Sequence, residues 1–243
     1  MNISQAFIFA AGRGQRMRPL TDSIPKPLVQ IKNKAIIDYS IEKLNKISSI
    51  KKIIINGFYL AEYLEAHIKK LANPKIVFSR EIEKIETGGG LVFARDLIDI
   101  DKPLLLINGD VLWQEENNNC DIAALAKAWE TSDCDILLGL KKKEEFLGYD
   151  GNKHGGGDFN FDPKTGALQR FSDQAMSHVF IGVQIINPKI LHEAPQKCFS
   201  MAHFYTKAAQ PDVSVQGIKE LELQSKYFHI GTINAIKMTQ DSL

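Results

Sequence analysis

Apolar, β-rich runs alternate with amphipathic helical patterns through the first half of this 243-residue chain, and few architectures accommodate that order. A strand, a helix and a further strand in succession require right-handed crossovers, which give a mainly parallel sheet with helices on both faces. The sequence therefore predicts an α/β fold. The predicted strands are residues 6–10, 51–56, 75–79, 104–108 and 135–140, and the helical patterns cover residues 37–47, 60–71 and 122–129.

The second half of the chain follows a different pattern. Residues 158–161 and 167–171 flank the turn sequence Asp-Pro-Lys-Thr-Gly, which predicts an antiparallel hairpin. Further strands are expected at residues 179–186, 212–218 and 227–230, and Thr232 is positioned to cap a final helix. Since no linker or repeat interrupts the chain, we expect one domain over residues 1–243, with a wound core in about 1–150 and an antiparallel elaboration in about 151–243.

Charge and cysteine content restrict the partners. The 30 Lys and Arg residues against 29 Asp and Glu residues leave a net charge of +1, so no nucleic-acid polymer or acidic membrane is expected as a partner. Any anionic ligand should be small. No segment has the pattern of a secretory signal or a membrane span, and the three cysteines (Cys120, Cys134 and Cys198) have no metal-site spacing, which favours reduced thiols in the cytoplasm.

A glycine-rich loop follows the first predicted strand. It carries Met17 where a dinucleotide-binding fingerprint needs glycine, and it lacks the P-loop string. Glycine backbone N–H groups and several cations are nevertheless suited to phosphate oxygens, so the loop predicts a triphosphate site. The candidate nucleotide-binding residues here are Ala11, Gly12, Arg13, Gly14, Gln15, Arg16 and Lys26.

The same loop resembles the signature of the sugar-1-phosphate nucleotidyltransferases, G-x-G-x-R-M-x-P-L-T followed by P-K-P-L. The resemblance implies a Rossmann-like nucleotide-binding fold with a small sugar-binding region. It also implies that Arg16 grips the β and γ phosphates of a nucleoside triphosphate and that Lys26 holds the α phosphate, both as catalytic residues. The matching positions are Gly12, Gly14, Arg16, Met17, Pro19, Leu20, Thr21 and Pro25 to Leu28.

A second string, Glu86-Thr87-Gly88-Gly89-Gly90, is placed just before a predicted short helix. By itself it also fits a plain helix start with Thr87 as the cap. Within the family it resembles the uridylyltransferases that act on N-acetylmuramate 1-phosphate, in which this string lies against the nucleobase. That resemblance implies base contacts from Glu86, Thr87 and Gly88.

Metal and sugar contacts are expected near two aspartates. Asp110 follows the strand 104–108, where a carboxylate at a strand end can bind a cation shared with phosphate. The family resemblance makes Asp110 the Mg²⁺ ligand and a catalytic residue, and makes Asn108 a sugar contact. The string from His154 to Phe159 is similar to one in the muramate enzymes, which implies that Asp158 also binds the sugar.

One position departs from the family. Residues 227–232 align with W-x-D-x-G-T, whose aspartate is the second metal ligand, but His229 stands in its place. Imidazole nitrogen suits Mn²⁺ or Co²⁺ better than Mg²⁺. Three alternatives stay open: His229 binds a softer ion, it holds water or phosphate while Asp110 alone anchors Mg²⁺, or the site is too weak for activity.

The resemblance predicts an enzyme that joins UTP and N-acetylmuramate 1-phosphate into a UDP-sugar, releasing pyrophosphate, in peptidoglycan recycling. One alternative is a guanylyltransferase that uses GTP with mannose or heptose 1-phosphate. Another, prompted by His229, is a non-catalytic sensor of a nucleotide or sugar phosphate. The expected partners are the two substrates, and the expected assembly is a monomer or weak homodimer.

Overall fold

The structure is a computed structural model, which describes residues 3–115, 120–149, 157–161, 168–170, 176–195, 197–205, 215–218 and 223–243. Within those ranges, nine strands form one mixed sheet. The main-sheet strands are β1 (Gln5–Phe9), β4 (Lys52–Gly57), β5 (Ile76–Arg80), β6 (Leu104–Asn108), β8 (Ile136–Lys142), β10 (Phe159–Phe161), β11 (Leu168–Arg170), β12 (His178–Ile186) and β13 (Val215–Ile218). The other strands are β2 (Gln30–Ile31), β3 (Lys34–Ala35), β7 (Val111–Gln114), β9 (Phe146–Leu147) and β14 (Lys226–His229).

The strand order confirms the predicted mainly parallel α/β sheet. Strands β6, β1, β4 and β5 are parallel neighbours, and β13 is parallel to β8. Strand β12 lies antiparallel between β6 and β8, a position that the alternating pattern did not reveal. The predicted hairpin is present as the antiparallel pair β10–β11, attached to the start of β12, while its turn at residues 162–167 is outside the described residues.

Helices cover both faces of the sheet. Ala6, Ile8 and Ile53 point to one face, where they share a core with α1 (Ile36–Lys46), α2 (Ala61–Leu71) and α4 (Asp121–Glu130). Phe7 and Ile54 point to the other face and pack against α3 (Glu86–Phe93) and the short 3₁₀ helices Pro188–Glu193 and Met201–Tyr205. Because successive side chains of a strand face opposite ways, a strand such as β6, apolar from Leu104 to Ile107, is buried on both sides over those residues.

A small second sheet brings the end of the chain back to the main sheet. Its strands run in the order β7–β14–β9, with β14 antiparallel to β7. Buried Asp121 holds this return segment because its carboxylate accepts hydrogen bonds from Gln224 N, Ser225 N and the Tyr227 hydroxyl. The chain then enters α5 (Ile233–Ser242), and Thr232 caps it as predicted by accepting from Ala235 N.

In the part of the chain that the structure describes, no helix is both long and apolar enough to cross a bilayer.

Candidate active site

The candidate site lies where the order of the strands reverses. The chain runs from β1 outward to β4 and β5, then returns to place β6 on the other side of β1. In open α/β sheets, ligands bind beyond the carboxyl ends of the strands at such a point. A cavity of about 240 Å³ opens there, which we call the sheet-edge cavity. Its lining includes Phe9, Ala10, Ala11, Gly12, Gly14, Lys26, Asn56, Phe58, Glu81, Lys84, Glu86, Thr87, Asn108 and Asp110.

The glycine loop forms one wall of this cavity. Gly14 has φ +64°, and a side chain there would place its Cβ 2.9 Å from Thr21 Cγ2. The loop is fixed by hydrogen bonds from the Thr21 hydroxyl and Met17 N to Gly14 O, both at 2.8 Å. Gly12 is different, because a Cβ there would meet nothing within 4 Å. Gly14 is therefore required by the loop itself, whereas Gly12 leaves open space for a ligand.

A second cavity, of about 610 Å³, adjoins the first along the same loop and is called here the arginine cavity. The Arg13 guanidinium lies over the rings of Phe58 and Tyr59, 5.6 and 5.8 Å from their centres. Such stacking holds a cation against the wall without neutralising it. The cavity is lined by Ala11, Gly12, Arg13, Gly14, Gln15, Arg16, Lys26, Lys84 and Gly231.

Lys26, which lines both cavities, forms an ion pair with Asp110, which lines the sheet-edge cavity. Lys26 Nζ donates to Asp110 Oδ2 at 2.6 Å, although 84 residues separate them in the chain. Gly109 makes this approach possible, since its N–H donates to Phe9 O at 2.9 Å at the end of β1. Burial favours a raised pKa for Asp110, but the Lys26 ammonium and the His229 ring outweigh it and hold the pKa well below its usual range. Asp110 is therefore an anion at neutral pH.

His229 joins this pair through the small sheet. Pairing of β14 with β7 sets His229 opposite Val111, and Ile230 N donates to Asp110 O at 2.7 Å. This register brings His229 Nε2 to 3.5 Å from Asp110 Oδ2. The other ring nitrogen, Nδ1, is buried and has no hydrogen-bond partner among the described residues.

These side chains fit Mg²⁺ in part. Mg²⁺ is commonly held by one or two carboxylates together with substrate phosphates and water, a role that Asp110 can fill. His229 contributes nitrogen where a second carboxylate oxygen would suit Mg²⁺ better. Within the described ranges, no group of three or more His, Cys, Asp and Glu side chains is arranged to hold a metal ion. Substrate phosphate would therefore have to complete the coordination.

A buried carboxyl group lies at the other end of the sheet-edge cavity. Glu81 is only 5% exposed, and its Oε1 accepts from Asn56 Nδ2 at 2.6 Å. Asn56 Oδ1 in turn accepts from Ala10 N at 2.7 Å, which ties the carboxyl group to the end of β1. Burial raises the pKa of Glu81 to about 7, despite the opposing hydrogen bond from Asn56. Both protonation states are therefore accessible near neutral pH.

The string Glu86 to Gly90 starts helix α3 and does not precede it, contrary to the sequence prediction. Glu86 and Thr87 line the sheet-edge cavity, but Gly88 does not. Gly88 N and Gly89 N both donate to Phe199 O, at 2.8 and 3.0 Å. The proposed backbone contact of Gly88 with a base is thus opposed by this hydrogen bond.

Close packing explains why these positions are glycines. A Cβ on Gly88 would lie 2.3 Å from the Phe199 ring, and one on Gly89 would lie 2.3 Å from Lys197 O. Thr87 is not the helix cap, since Ile85 takes that position and the Thr87 hydroxyl accepts from Met201 N at 2.9 Å. The glycines therefore admit the segment 197–201, which supports the cavity wall from behind.

The two predicted sugar contacts lie in different surroundings. Asn108 lines the sheet-edge cavity at the end of β6. Asp158 lines neither cavity, and its carboxylate accepts from the Tyr149 hydroxyl and Phe180 N, both at 3.1 Å. The Tyr149 ring lies 6.2 Å from the His229 ring, so Tyr149 connects Asp158 to the side of the site where His229 lies. His154 is outside the described residues, and the sugar contacts stay predictions.

Sequence reasoning missed three polar residues of the cavity wall: Asn56, Glu81 and Lys84. Asn56 had a usable signal, because it is a polar residue near the end of the apolar strand β4. Glu81 had none, since it lies just beyond β5 and follows the polar residues Ser79 and Arg80. Lys84 had none either, since an exposed lysine in a charged loop is indistinguishable from a solvated surface residue.

Residues 5–162 match the sequence profile of the Nucleotidyl transferase family. The chain belongs to that family. It is also 33% identical over 233 residues to the N-acetylmuramate alpha-1-phosphate uridylyltransferase of Caulobacter vibrioides, covering 93% of this chain and 91% of the relative. These findings confirm the prediction of a nucleotidyltransferase and its resemblance to the uridylyltransferases.

Guanylyltransferases are relatives too. The chain is 37% identical over 238 residues to the mannose-1-phosphate guanylyltransferase catalytic subunit beta of Danio rerio, covering 93% of this chain but only 61% of the relative. The chain thus spans about three-fifths of that protein's length.

Solved structures with low sequence identity share the fold. HddC from Yersinia pseudotuberculosis, complexed with GMP-PN, superposes with a TM-score of 0.70 at 21% identity and covers 99% of both chains. UTP-bound UGPase from Acinetobacter baumannii gives a TM-score of 0.73 at 16% identity, covering 99% of this chain and 93% of that one. The Rossmann-like mixed α/β fold is confirmed by these superpositions.

Proposed function

We propose that this nucleotidyltransferase joins UTP and N-acetylmuramate 1-phosphate into the UDP-sugar with release of pyrophosphate, in peptidoglycan recycling. The observation that carries the proposal is the pair of adjoining cavities that share the glycine loop and Lys26, with Lys26 paired to Asp110. One cavity offers a partly apolar slot for a base, and the other offers cations for phosphates. A nucleoside triphosphate has that division of chemistry.

The proposed reaction requires little proton transfer by the protein. A phosphate oxygen of the sugar phosphate attacks the α phosphorus of UTP, and the bond from that phosphorus to the oxygen bridging to the β phosphate breaks. Pyrophosphate leaves with that electron pair. Because the nucleophile is already an anion, no general base is needed, and catalysis comes from in-line positioning and charge stabilisation.

Each cation has a distinct part in this proposal. Lys26, at the wall common to both cavities, would hold the α phosphate, and Arg16, on the arginine cavity, would hold the departing β and γ phosphates. Mg²⁺, held by Asp110 together with phosphate oxygens, would add positive charge at the transferring group. The low pKa of Asp110 keeps that carboxylate ionised for this purpose.

The sugar is proposed to approach from the side of Asn108 and His229. Asn108 lines the cavity beside Asp110, and Tyr149 links the carboxylate of Asp158 to the ring of His229. Hydroxyl and N-acetyl groups of a sugar would find both acceptors and donors there.

The second candidate is a guanylyltransferase, and Glu81 is the observation that favours it. An ionised carboxylate accepts only, which suits the adjacent N1–H and N2–H₂ donors of guanine. A protonated carboxyl both donates and accepts, which suits uracil, whose N3–H lies beside a carbonyl oxygen. Since the pKa of Glu81 is about 7, its protonation bears directly on which base the cavity prefers.

The test is pyrophosphate release from the purified chain with the four common nucleoside triphosphates and a panel of sugar 1-phosphates that includes N-acetylmuramate, glucose, mannose and heptose. The fastest pair should be UTP with N-acetylmuramate 1-phosphate. Asp110→Asn, assayed in parallel, controls for contaminating activity. Faster turnover of GTP with mannose or heptose 1-phosphate would support the guanylyltransferase instead. The ratio of UTP to GTP turnover should rise from pH 8 to pH 6 and lose this dependence in Glu81→Gln.

A further inference from the structure

A fourth cation lines the arginine cavity besides the three that the glycine loop and Lys26 supply. Lys84 comes from the segment between β5 and α3, a part of the chain that shares no motif with the glycine loop. It also lines the sheet-edge cavity, and among the cations of the described residues only Lys26 shares that property. A ligand that spans both cavities can therefore contact Lys84 as well as Lys26.

Lys84 is held by a neighbour at the cavity wall. Its Nζ lies 2.6 Å from Glu86 Oε1, and the two side chains are 64% and 43% exposed. Ion pairs in such exposed positions contribute little to stability, because water screens them and two long side chains must be ordered. Breaking the Lys84–Glu86 pair therefore costs little free energy, and Lys84 can exchange Glu86 for a more highly charged partner.

The backbone that carries this pair is fixed on both sides. Gly88 and Gly89 are hydrogen bonded to Phe199 O, and Cys198 Sγ contacts Lys84 O at 3.6 Å. Glu86 itself has φ +60°, a left-handed conformation that L-residues with a Cβ avoid. A non-glycine residue kept in that conformation at a cavity wall suggests that its side chain is used there.

We propose that Lys84 binds the β or γ phosphate of the nucleoside triphosphate and that Glu86 is the partner it leaves when the nucleotide enters. This inference rests on the proposed function, since it assumes that a nucleoside triphosphate occupies the two cavities. A lysine on a multiply charged phosphate gains a charge-assisted hydrogen bond, which is stronger than a screened surface pair. The exchange also leaves the Glu86 carboxylate as a hydrogen-bond acceptor on the wall of the sheet-edge cavity.

The test is calorimetric titration of the full chain with UTP and, separately, with UMP, which lacks the β and γ phosphates. Lys84→Met should weaken UTP binding about tenfold, the loss of one charge-assisted contact, and leave UMP binding within about twofold. Lys84→Arg, which keeps the charge, should retain most of the UTP affinity.

Lys197→Met is the matched control. Lys197 is 67% exposed and pairs with Glu83 in the same neighbourhood, but it lines neither cavity. Its replacement should leave both titrations unchanged. Glu86→Gln, which removes the competing partner, should raise the affinity for UTP relative to UMP a few-fold.

Two results would overturn the inference while leaving the proposed function intact. In one, Lys84→Met binds UTP as the wild type does. In the other, it weakens UTP and UMP alike, which would mean that Lys84 acts on the wall structure. If the wild-type chain bound no nucleoside triphosphate at all, with or without Mg²⁺, both the proposed function and this inference would be wrong.

Discussion

The two ends of the candidate site are built in different ways. At the proposed phosphate end, Lys26, Asp110 and His229 come from widely separated parts of the chain and meet through charge and strand register. At the proposed base end, Glu81 and the glycines of α3 are fixed by burial and close packing.

The two ends should therefore respond differently to substitution. In the proposed function, charge at the phosphate end acts on the reacting groups, so changes there should alter turnover more than stability. Packing at the base end shapes the wall, so changes there should alter stability, or its dependence on pH, more than the chemistry.

Asp110→Asn should lower turnover about 10³-fold, because it removes the charge that a metal and the transferring phosphate depend on while keeping the shape of the side chain. Pyrophosphate release at saturating UTP measures the effect. Circular dichroism should show an unchanged fold. Turnover within tenfold of the wild type would mean that Asp110 is not part of the chemistry.

Glu81 should make stability fall as pH rises. Because the native state binds this proton more tightly than the unfolded chain, the free energy of unfolding should decrease from about pH 4.5 to about pH 7 and then level off. The total change from this group is about 3 kcal/mol.

Glu81→Gln should remove that part of the pH dependence and be the more stable protein at pH 8. Urea unfolding of both proteins at pH 5 and pH 8 measures this difference. Glu83→Gln, in the same segment but exposed, is the control and should match the wild type. Parallel pH profiles for wild type and Glu81→Gln would show that Glu81 ionises freely in the native state.

Gly88→Ala should lower stability, whereas Gly12→Ala should weaken nucleotide binding. The first forces a Cβ against the Phe199 ring and should cost about 2 kcal/mol of unfolding free energy by overpacking. The second meets no neighbour and should leave stability within about 0.5 kcal/mol, yet weaken UTP binding by filling ligand space.

Thermal unfolding and UTP titration of the two variants separate these effects. Phe199→Leu should restore part of the stability of Gly88→Ala by making room for the added methyl group. If Gly12→Ala were the less stable variant and bound UTP normally, the contrast between the two glycines would be wrong.

His229→Asp should raise turnover with Mg²⁺ relative to Mn²⁺ by roughly fivefold, because it replaces an imidazole nitrogen by carboxylate oxygen beside Asp110. Turnover measured with each ion at fixed UTP provides the ratio. An equal loss with both ions would indicate that His229 has a role other than metal selection, such as holding water or phosphate.

Much of the fold was predictable because buried parallel strands leave an unmistakable apolar run. Strand β6 was predicted to the residue, and the ends of β1, β4 and β5 differ from prediction by one residue. The antiparallel insertion of β12 was not predictable, since an apolar run carries no information about direction. The candidate phosphate residues were found through a contiguous motif, whereas Glu81 and Lys84 were missed because their neighbours in sequence are not their neighbours in space.

The α/β class, the glycine loop and the family signature follow from the sequence, because each depends on residues close together in the chain. The folded chain adds the 3.5 Å approach of His229 Nε2 to Asp110 Oδ2, the packing of the α3 glycines against residues 197–201, and the position of Lys84 on the walls of two cavities. Those contacts join segments up to about 120 residues apart. They follow from strand register and packing, which involve the whole chain at once.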